Sequence, residues 1–556
     1  MKTEHAMGAR QRRLEMMGAR DWLKALSTAL AAGDPARLAP LFQEQTFWRD
    51  YLPFGWTLQT VEGREAVVAF GAETGPSFEF KLNAMEGNPD EQEGIFTFQT
   101  ARGAGTGHLR LEDGRCKTLF TRLDEPEVAA PPHTERDPYV LIVGGGQGGL
   151  ALSAQLADLN VPHLVVDRYP RVGDQWRSRY DSLHLHDPVW YDHMPFKPFP
   201  DDWPVFTPKD MMGDWLEAYA EELNLPIWTQ TEFLGAEYSE DDGRWTARIR
   251  KPDEEVVLRP THLVFAMGIS GFPRTPQFPG QSDLAGKQFH SSAYKDGAEF
   301  ANKDIVIVGS NNSAHDIAVD LVSHGARPTM IQRSTTHVVR QDDFCERMLK
   351  ALYSREAVAS GITVEKADIL GASMPQRLAE PLQKKLWDGI RRDRADFYQA
   401  LTDAGFALDF AEDGTGLGTK YRRTASGYYI DVGGSQMVVD GRIKVRSGYG
   451  LERISANSVT LTNGDELQAD AIVYATGYGP MTDWIAKLID EEIAAKVGPC
   501  WGYGSGTKGD PGPWVGELRN MWMPTAQEGL WLMGGNLAQA RSFSRLLALQ
   551  LLGRMK

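Results

Sequence analysis

Two apolar segments of this 556-residue chain each run directly into a short turn of small residues. Residues 139–143, YVLIV, precede the turn GGGQGG, and residues 304–308, DIVIV, precede the turn GSNNSA. An apolar run of this length is typical of a strand that is buried on both faces of a parallel sheet. A strand, a tight turn and a helix in this order are typical of α/β architecture, so the sequence predicts two nucleotide-binding units of an α/β fold.

The first turn has the complete glycine spacing GxGxxG, with Gly144, Gly146 and Gly149. The first glycine permits the tight turn, the second lets the backbone approach a pyrophosphate, and the third lets helix and strand pack closely. The next strand, residues 163–166, ends at Asp167, whose carboxylate can accept the hydroxyls of a ribose. We therefore predict a Rossmann-like dinucleotide site here, the alternative being a purely structural turn.

The second turn is a degenerate version of the first. Asn311 and Ala314 stand where two of the glycines would be, although asparagine tolerates left-handed backbone and alanine is small. The following strand, residues 329–332, ends at Arg333 and Ser334. An arginine with a hydroxyl neighbour suits the 2′-phosphate of NADPH, whereas an acidic residue would suit a free 2′-hydroxyl. NADPH is the predicted ligand, and a surface arginine is the alternative.

Composition excludes several other classes. The net charge of −16 disfavours a nucleic-acid partner, and no apolar run approaches the roughly 18 residues of a membrane span. The cysteines, Cys116, Cys345 and Cys500, form no CxxC, so neither a metal site nor a redox dithiol is predicted. The first residues are charged and enter no apolar segment, so we expect a cytoplasmic protein without a signal peptide.

Residues 16–125 lack the alternating α/β pattern. Apolar residues at helical spacing between 21 and 42 are divided by Gly33-Asp34-Pro35 into two predicted helices. Strand-like runs follow, at 78–82, 95–98, 108–111 and 118–120. Helices followed by an antiparallel meander predict a small α+β domain, and this stretch resembles the NTF2-like cone fold. We expect it to cap a substrate entrance, to mediate formation of a homodimer, or both.

Between the two turns, residues 284–294 read LAGKQFHSSAY, with Gly286, His290 and Tyr294 in the spacing of the fingerprint FxGxxxHxxx(Y/F). This segment resembles the fingerprint of the flavin-containing monooxygenases, with Leu284 in place of the phenylalanine. Lys295 departs from the ending that is typical of Baeyer–Villiger enzymes.

The resemblance extends over most of 139–556. Residues 180–186, YDSLHLH, are similar to a segment of YUCCA-type monooxygenases, and residues 472–478, IVYATGY, match the strand that closes a nucleotide domain in this family. Residues 173–176, GDQW, resemble the family's GxxW segment, which implies that the first turn binds FAD.

The resemblance implies an NADPH- and O2-dependent FAD monooxygenase. In that family a C4a-(hydro)peroxyflavin passes one oxygen atom to a small organic substrate. The sequence leaves open whether the substrate is an amine or sulfide, a ketone, or an arylpyruvate-type α-keto acid. The resemblance places the flavin-facing loop at His186, Asp187, Tyr191 and His193. His186 is the predicted catalytic residue, as a hydrogen-bond donor to the peroxide or the nicotinamide, and a structural role for this loop is the alternative.

Two alternative functions share the nucleotide-binding pattern. A flavin disulfide reductase also has two nucleotide folds, but it needs the CxxC that the chain lacks. A non-catalytic redox sensor or scaffold would bind flavin and NADPH without turnover. The predicted cofactor-binding residues are Gly144, Gly146, Gly148, Gly149, Asp167, Arg168, Gln175, Trp176, His186, Gly309, Ser310, Asn311, Asn312, Ser313, Arg333, Ser334, Thr476, Gly477 and Gln539.

The predicted domains follow from these assignments. They are a flexible tail at 1–15, the NTF2-like α+β domain at 16–125, a semi-rigid linker rich in Pro and Ala at 126–137, the first part of an FAD-binding domain at 138–300, an NADPH-binding domain at 301–470 and the C-terminal part of the FAD-binding domain at 471–556. Residues 342–430 read as an insertion that is helical over 377–410, with Leu378, Leu382, Leu386 and Ile390 on one stripe, and has a strand at 428–430. We expect this insertion to form a covering layer over the active site, or a gate for substrate.

Overall fold

The computed structural model describes residues 17–86, 91–131, 137–510 and 512–555. The predicted flexible tail, and residues 132–136 of the predicted linker, lie outside the described residues. Within the described parts of the chain, no helix is long and apolar enough to cross a membrane.

The N-terminal unit is a mixed sheet with helices packed against it. The strands lie in the spatial order Leu58–Glu62, Phe42–Tyr51, Arg115–Pro126, Gly103–Glu112, Glu93–Thr100 and Lys81–Met85. Neighbours are antiparallel except for Phe42–Tyr51 and Arg115–Pro126, which are parallel. The helices are Ala19–Ala32, Pro35–Leu38 and Arg64–Phe78. Trp48 lies fully buried at the centre of this unit, in edge contact with Phe54 and Phe70.

Most of the predicted elements of this unit are confirmed, with one correction. The helices on either side of Gly33-Asp34-Pro35 are present. The predicted strand at 78–82 is partly wrong, because Phe78 ends a helix and the strand begins at Lys81. Gly71, Gly75 and Pro76 hid the helix Arg64–Phe78 from sequence reasoning, because both residue types disfavour helix interiors. The structure needs Gly75, since a Cβ there would lie 2.8 Å from the Leu30 side chain.

The first nucleotide turn belongs to a wholly parallel sheet. Its strands lie in the order Leu530–Leu532, His262–Phe265, Val140–Val143, His163–Val166 and Ile227–Trp228. Helices of this part are Gln147–Asp158, Asp174–Arg177, Lys209–Glu222 and Leu537–Leu552. An antiparallel sheet of Glu232–Ser239, Arg244–Arg250 and Glu255–Leu258 is attached to it. The C-terminal strand and helix thus return to the first sheet, as the sequence predicted.

The second nucleotide turn belongs to another parallel sheet. Its strands lie in the order Lys287–His290, Ala471–Tyr474, Asp304–Val308, Arg327–Gln332 and Lys444–Ser447. The helix Asn312–Ser323 follows its turn, and the strands Leu451–Ile454, Ser458–Leu461 and Glu466–Gln468 form an antiparallel sheet. The predicted boundaries at 300 and 470 assigned Lys287–His290 and Ala471–Tyr474 to the first domain. Their backbone pairing places both strands in the second sheet, which corrects that assignment.

The insertion forms a helical layer with a small parallel sheet. Its helices are Gln341–Asp343, Arg355–Ala359, Val364–Ala372, Gln376–Asp393, Ala395–Asp403 and Gly416–Thr424, with a π-helical segment Phe344–Leu349. The strands Leu408–Asp409, Thr336–Arg340 and Tyr428–Asp431 pair in that order. The predicted strand at 428–430 is confirmed.

The predicted single helix over 377–410 is corrected, because it is broken at Arg394 and ends in a strand. The predicted apolar stripe is also corrected. The Gln376–Asp393 helix buries Trp387 and Ile390, whereas Leu382 is 55 % exposed.

The remaining elements join these parts. They are the helices Gly434–Val439, Met481–Leu488 and Glu491–Val497, and the paired strands Phe272–Pro273 and Tyr478–Gly479. The two parallel sheets confirm the α/β prediction for the region after residue 138.

Candidate functional site: a chamber between the nucleotide folds

A cavity of about 1200 Å³ begins at the first glycine turn and extends to the N-terminal unit. Its wall includes the first turn, the loop around His186, the C-terminal segment near Gln539, the insertion around Tyr421, and Tyr51 of the N-terminal unit. Segments that are far apart in sequence therefore enclose one chamber. We define the chamber by this wall and use the term in that sense below.

The first glycine turn can only be built with glycine at two of its positions. Gly144 has a φ of +109°, and a Cβ there would lie 2.7 Å from the carbonyl oxygen of Ala266. A Cβ on Gly149 would lie 1.9 Å from the carbonyl oxygen of Gly144. The turn therefore brings the N-terminus of the helix Gln147–Asp158 to the chamber wall, where its free N–H groups favour a phosphate.

Asp167 lies at the end of the second strand of this unit, where the sequence predicted it. Its carboxylate accepts hydrogen bonds from the backbone N–H of Gly145 at 2.5 Å and of Tyr169 at 2.8 Å. Burial raises the pKa of Asp167 above its ordinary value, although these hydrogen bonds oppose the rise. Arg168 follows it, exposed, with its guanidinium over the Tyr169 ring.

Two buried donors on the chamber wall lack a partner among the described residues. The Gln175 Nε2 and Trp176 Nε1 atoms are buried without a hydrogen bond to any described residue. An unsatisfied buried donor costs about 1–3 kcal/mol, so such donors point to a ligand that accepts from them. Together with the glycine turn and Asp167, they form a site whose chemistry fits a flavin dinucleotide.

His186 connects the chamber to the second nucleotide unit. Its Nε2 lies 3.6 Å from Asp316 Oδ2, and Asp316 belongs to the helix that follows the second turn. The Tyr180 hydroxyl donates to the same Asp316 oxygen at 2.6 Å. Burial alone would lower the pKa of His186, but Asp316, with a smaller contribution from Asp187, outweighs burial and raises the pKa above 6.5.

The second turn keeps its first glycine for the same steric reason as the first turn. Gly309 has a φ of +133°, and a Cβ there would lie 2.3 Å from the carbonyl oxygen of Ala475. The side chains of Asn311 and Asn312 support the turn, because Asn311 Oδ1 accepts from the Thr336 hydroxyl and Asn312 Oδ1 accepts from the backbone N–H of Ile430.

The other predicted residues of the second site lie around this turn. The Ser310 hydroxyl is buried and bonds to the Thr336 hydroxyl at 2.8 Å, and Ser313 lies in the first turn of the following helix. Arg333 and Ser334 are exposed just beyond the strand Arg327–Gln332, with the Arg333 guanidinium unpaired among the described residues.

The fingerprint segment lies where the two nucleotide units meet. His290 Nε2 bonds to the carbonyl oxygen of Gly477 at 3.0 Å, and the Tyr294 hydroxyl donates to Asp320 at 2.6 Å. Leu284 is buried, so it fills an apolar position in place of a phenylalanine. These contacts fix the side chains of His290 and Tyr294 within the second nucleotide unit.

The predicted residues near the C-terminus lie at two different places. Thr476 donates its hydroxyl to the carbonyl oxygen of Arg274, and the neighbouring Gly477 has a φ of +78°. Gln539 lines the chamber in the first turn of the last helix, where its Oε1 accepts from the Tyr421 hydroxyl at 3.0 Å.

Sequence reasoning placed Asp187 and Tyr191 in the flavin-facing loop but missed the rest of a polar cluster on the chamber wall. It comprises Asp187, Tyr191, Tyr421, Arg422 and Tyr428, all of which line the chamber. Burial raises the pKa of Asp187 to about 6, with His186 opposing the rise, and burial also raises the pKa of Tyr191 to about 12. The insertion supplies three members of the cluster and carries no motif that could have identified them.

Known proteins similar to this chain agree with the two-nucleotide architecture. Residues 141–374 match a family model described as pyridine nucleotide-disulphide oxidoreductase. The chain is 30% identical over 398 residues to a probable indole-3-pyruvate monooxygenase, YUCCA4, of Arabidopsis thaliana, a match that covers 71% of this chain and 88% of that protein. It is 31% identical over 365 residues to the indole-3-pyruvate monooxygenase YUCCA1 of Oryza sativa subsp. japonica, covering 65% and 82% of the two chains.

Solved structures share the fold. A double mutant of the flavin monooxygenase from Stenotrophomonas maltophilia superposes with a TM-score of 0.50 at 17% identity, covering 75% of this chain and 99% of that chain. The open structure of cyclohexanone monooxygenase gives a TM-score of 0.50 at 16% identity, covering 70% and 84%. At these identities the likeness establishes the fold, whereas the relative at 30% identity establishes the family. The chain therefore belongs to the flavin monooxygenase family and is an oxidoreductase.

Proposed function

We propose that this protein is an NADPH-dependent FAD monooxygenase that transfers one atom of O2 to a small organic substrate. FAD and NADPH are its cofactors. The observation that carries the proposal is the chamber itself. Its wall includes a glycine turn shaped for a pyrophosphate, the buried donors of Gln175 and Trp176, and residues of the N-terminal unit and the insertion.

FAD binds at the first turn in this proposal. The backbone at Gly144, Gly146, Gly148 and Gly149 holds the pyrophosphate. Asp167 and Arg168 hold the adenosine, where the carboxylate can accept ribose hydroxyls. Further contacts come from the loop that follows and from the C-terminal part, namely Gln175, Trp176, His186, Thr476, Gly477 and Gln539.

NADPH binds at the second turn. The backbone of residues 309–313 receives its pyrophosphate, and Arg333 with Ser334 receives the 2′-phosphate. Arg179 is a further candidate, because its Nε is buried without a partner in the described chain. Arg179 lines the chamber and lies close enough to His290 for its charge to oppose protonation of that imidazole.

The bound flavin supplies the oxygen chemistry, and the chain's residues bind, orient and exclude water. His186 is the residue we assign to hydrogen bonding at the reacting centre. Its ion-pair partner Asp316 favours the protonated imidazole, which can donate from both ring nitrogens.

The N-terminal unit is proposed to be an NTF2-like domain that closes the substrate end of the chamber. Tyr51 and Leu58 of this unit line the chamber directly. The insertion contributes Tyr421 and Tyr428 to the same wall. Both units therefore act as walls for substrate in this proposal, and dimerisation through the N-terminal unit remains the other role expected for it.

The test is NADPH consumption by the purified holoenzyme with amines, sulfides, ketones and α-keto acids, in air and under argon. We expect at least one substrate class to stimulate consumption, and only when O2 is present. Tight binding of flavin and NADPH with no stimulation by any class would instead support a redox sensor or scaffold.

A further inference from the structure

Arg422 is a charged side chain on the chamber wall that has no partner in the part of the chain that the structure describes. It lies in the helix Gly416–Thr424 of the insertion, is half-buried and lines the chamber. Within residues 17–86, 91–131, 137–510 and 512–555, its guanidinium has no hydrogen bond and no ion pair. A half-buried guanidinium has lost part of its hydration, so an anion that enters the chamber would stabilise it.

Two other arginines that line the chamber, Arg49 and Arg122, are paired. Arg49 is bound by Glu517 and Arg122 by Asp124. Arg423, the next residue along the chain from Arg422, is buried and paired with both Glu380 and Asp413. The insertion helix thus carries two consecutive arginines, of which one is structural and the other is free to bind.

Two carboxylates of the chamber wall, Glu517 and Asp368, are held by other residues. Glu517 accepts hydrogen bonds from Arg49, Tyr51 and Thr60, and Asp368 is held by Arg541 at 2.7 Å. Asp187 lies beside His186, which lowers its pKa against the effect of burial. Arg422 is therefore left available for an anion that enters the chamber.

The surroundings of Arg422 are aromatic. Its charge acts on the hydroxyls of Tyr191 and Tyr421, where it opposes the rise of pKa caused by burial. Phe543 and Trp522, stacked 4.0 Å apart, also line the chamber. A guanidinium among aromatic rings suits a planar apolar body that bears a carboxylate, because the carboxylate can take the two parallel N–H donors of the fork.

We propose that Arg422 is a specificity-determining residue that binds the carboxylate of an aryl organic acid, while the aromatic wall holds the apolar body. The proposal rests on the proposed function and narrows its substrate to the acid class. The insertion supplies this arginine, so in this proposal the insertion selects the substrate as well as covering the chamber.

The test is equilibrium binding to the FAD-loaded protein, measured by calorimetry. The probes are benzoate, phenylacetate and 3-phenylpropionate, each compared with its uncharged amide of the same shape. The variants are Arg422→Gln, Arg422→Lys and the matched control Arg392→Gln, which removes an arginine of the same insertion whose side chain is 79% exposed.

We expect at least one acid to bind the unaltered protein more tightly than its amide. Arg422→Gln should weaken that acid by about 10- to 100-fold, as expected for loss of a charge-assisted pair, and leave the amide unchanged. Arg422→Lys should keep part of the preference because it keeps the charge but not the fork. Arg392→Gln should keep the full preference for the acid over its amide.

Two results would overturn the proposal. One is the absence of any acid preference across the three pairs. The other is an equal loss for acid and amide in Arg422→Gln, with or without a changed flavin spectrum, which would mean that Arg422 shapes the chamber or contacts the flavin. Because binding needs no turnover, these results are distinct from failure of the monooxygenase assay.

Discussion

Arg49 of the N-terminal unit forms a bidentate ion pair with Glu517, with Nε–Oε1 and Nη2–Oε2 distances of 2.6 Å. The two side chains are only 5% and 7% exposed. The Tyr51 and Thr60 hydroxyls donate to the same carboxylate. Burial alone would lower the pKa of the Arg49 guanidinium, but Glu517 outweighs it and the pKa is raised. This pair attaches the N-terminal unit to the C-terminal segment at the chamber wall.

Arg49→Met should lower the free energy of unfolding by about 3–5 kcal/mol, because it leaves Glu517 buried without its countercharge. The control is Arg327→Met, which removes an arginine with the same bidentate geometry to Asp304, at 2.8 and 2.7 Å, but 51% exposed. The control should lose much less, because water screens an exposed ion pair. Urea unfolding followed by tryptophan fluorescence measures the free energy of unfolding of both variants. An equal loss in the two variants would show that burial of the Arg49–Glu517 pair is unimportant.

Arg333→Ala should weaken NADPH binding by about 10- to 100-fold and leave NADH binding nearly unchanged, because only NADPH carries the 2′-phosphate. Arg327→Ala serves as the control, since Arg327 begins the strand that Arg333 follows. Fluorescence titration of each variant with NADPH and with NADH gives the dissociation constants to be compared. An equal loss for NADPH and NADH would remove Arg333 from the 2′-phosphate site.

Gly149→Ala should strongly reduce the amount of FAD that the protein binds. The new methyl group would meet the Gly144 carbonyl oxygen at 1.9 Å, and relieving such a contact strains the turn by about 1–3 kcal/mol or more. Gly148→Ala is the comparison, because its Cβ would approach nothing closer than 3.4 Å, at Met533. The flavin-to-protein ratio of the purified variants is the readout. Full flavin content in Gly149→Ala would contradict this packing argument.

His186 gives stability a pH dependence of defined sign. Its pKa in the folded protein is raised above 6.5, so folding favours the protonated imidazole. The stabilisation is fully present below the unfolded-state pKa of about 6.5 and is lost as pH rises through the raised folded-state value. The unfolding free energy lost in His186→Asn should therefore be larger near pH 6 than near pH 8.5. His184→Asn, an exposed position on the same loop, is the control, and an opposite trend for His186→Asn would show that Asp316 does not govern this histidine.

Local patterns made the nucleotide units predictable. Around Gly144 and Gly309, the strand, the turn and the helix consist of residues that are contiguous in sequence. Steric contacts within each turn require glycine at these positions. The substrate end of the chamber instead depends on residues that are distant in sequence or belong to no motif. Arg49 and Glu517 are 468 residues apart, and Arg422 lies in an insertion without a motif. Nothing in the sequence near either position indicates its partner or its exposure to the chamber.

The boundary correction has the same origin. The strands Lys287–His290 and Ala471–Tyr474 pair with each other across a long stretch of chain, so composition near residues 300 and 470 could not assign them to a sheet. The helix Arg64–Phe78 was hidden because Gly75 and Pro76 weaken its local signal, while its packing on Leu30 requires a small residue.

The central claim is that one atom of O2 is inserted into an organic substrate. The direct measurement is product mass after turnover of the NADPH-reduced holoenzyme under ¹⁸O2, with the best substrate of the panel. The account predicts a product that carries one ¹⁸O atom, formed in step with NADPH consumption. A product without ¹⁸O, or NADPH consumption that yields only hydrogen peroxide with every substrate class, would contradict it.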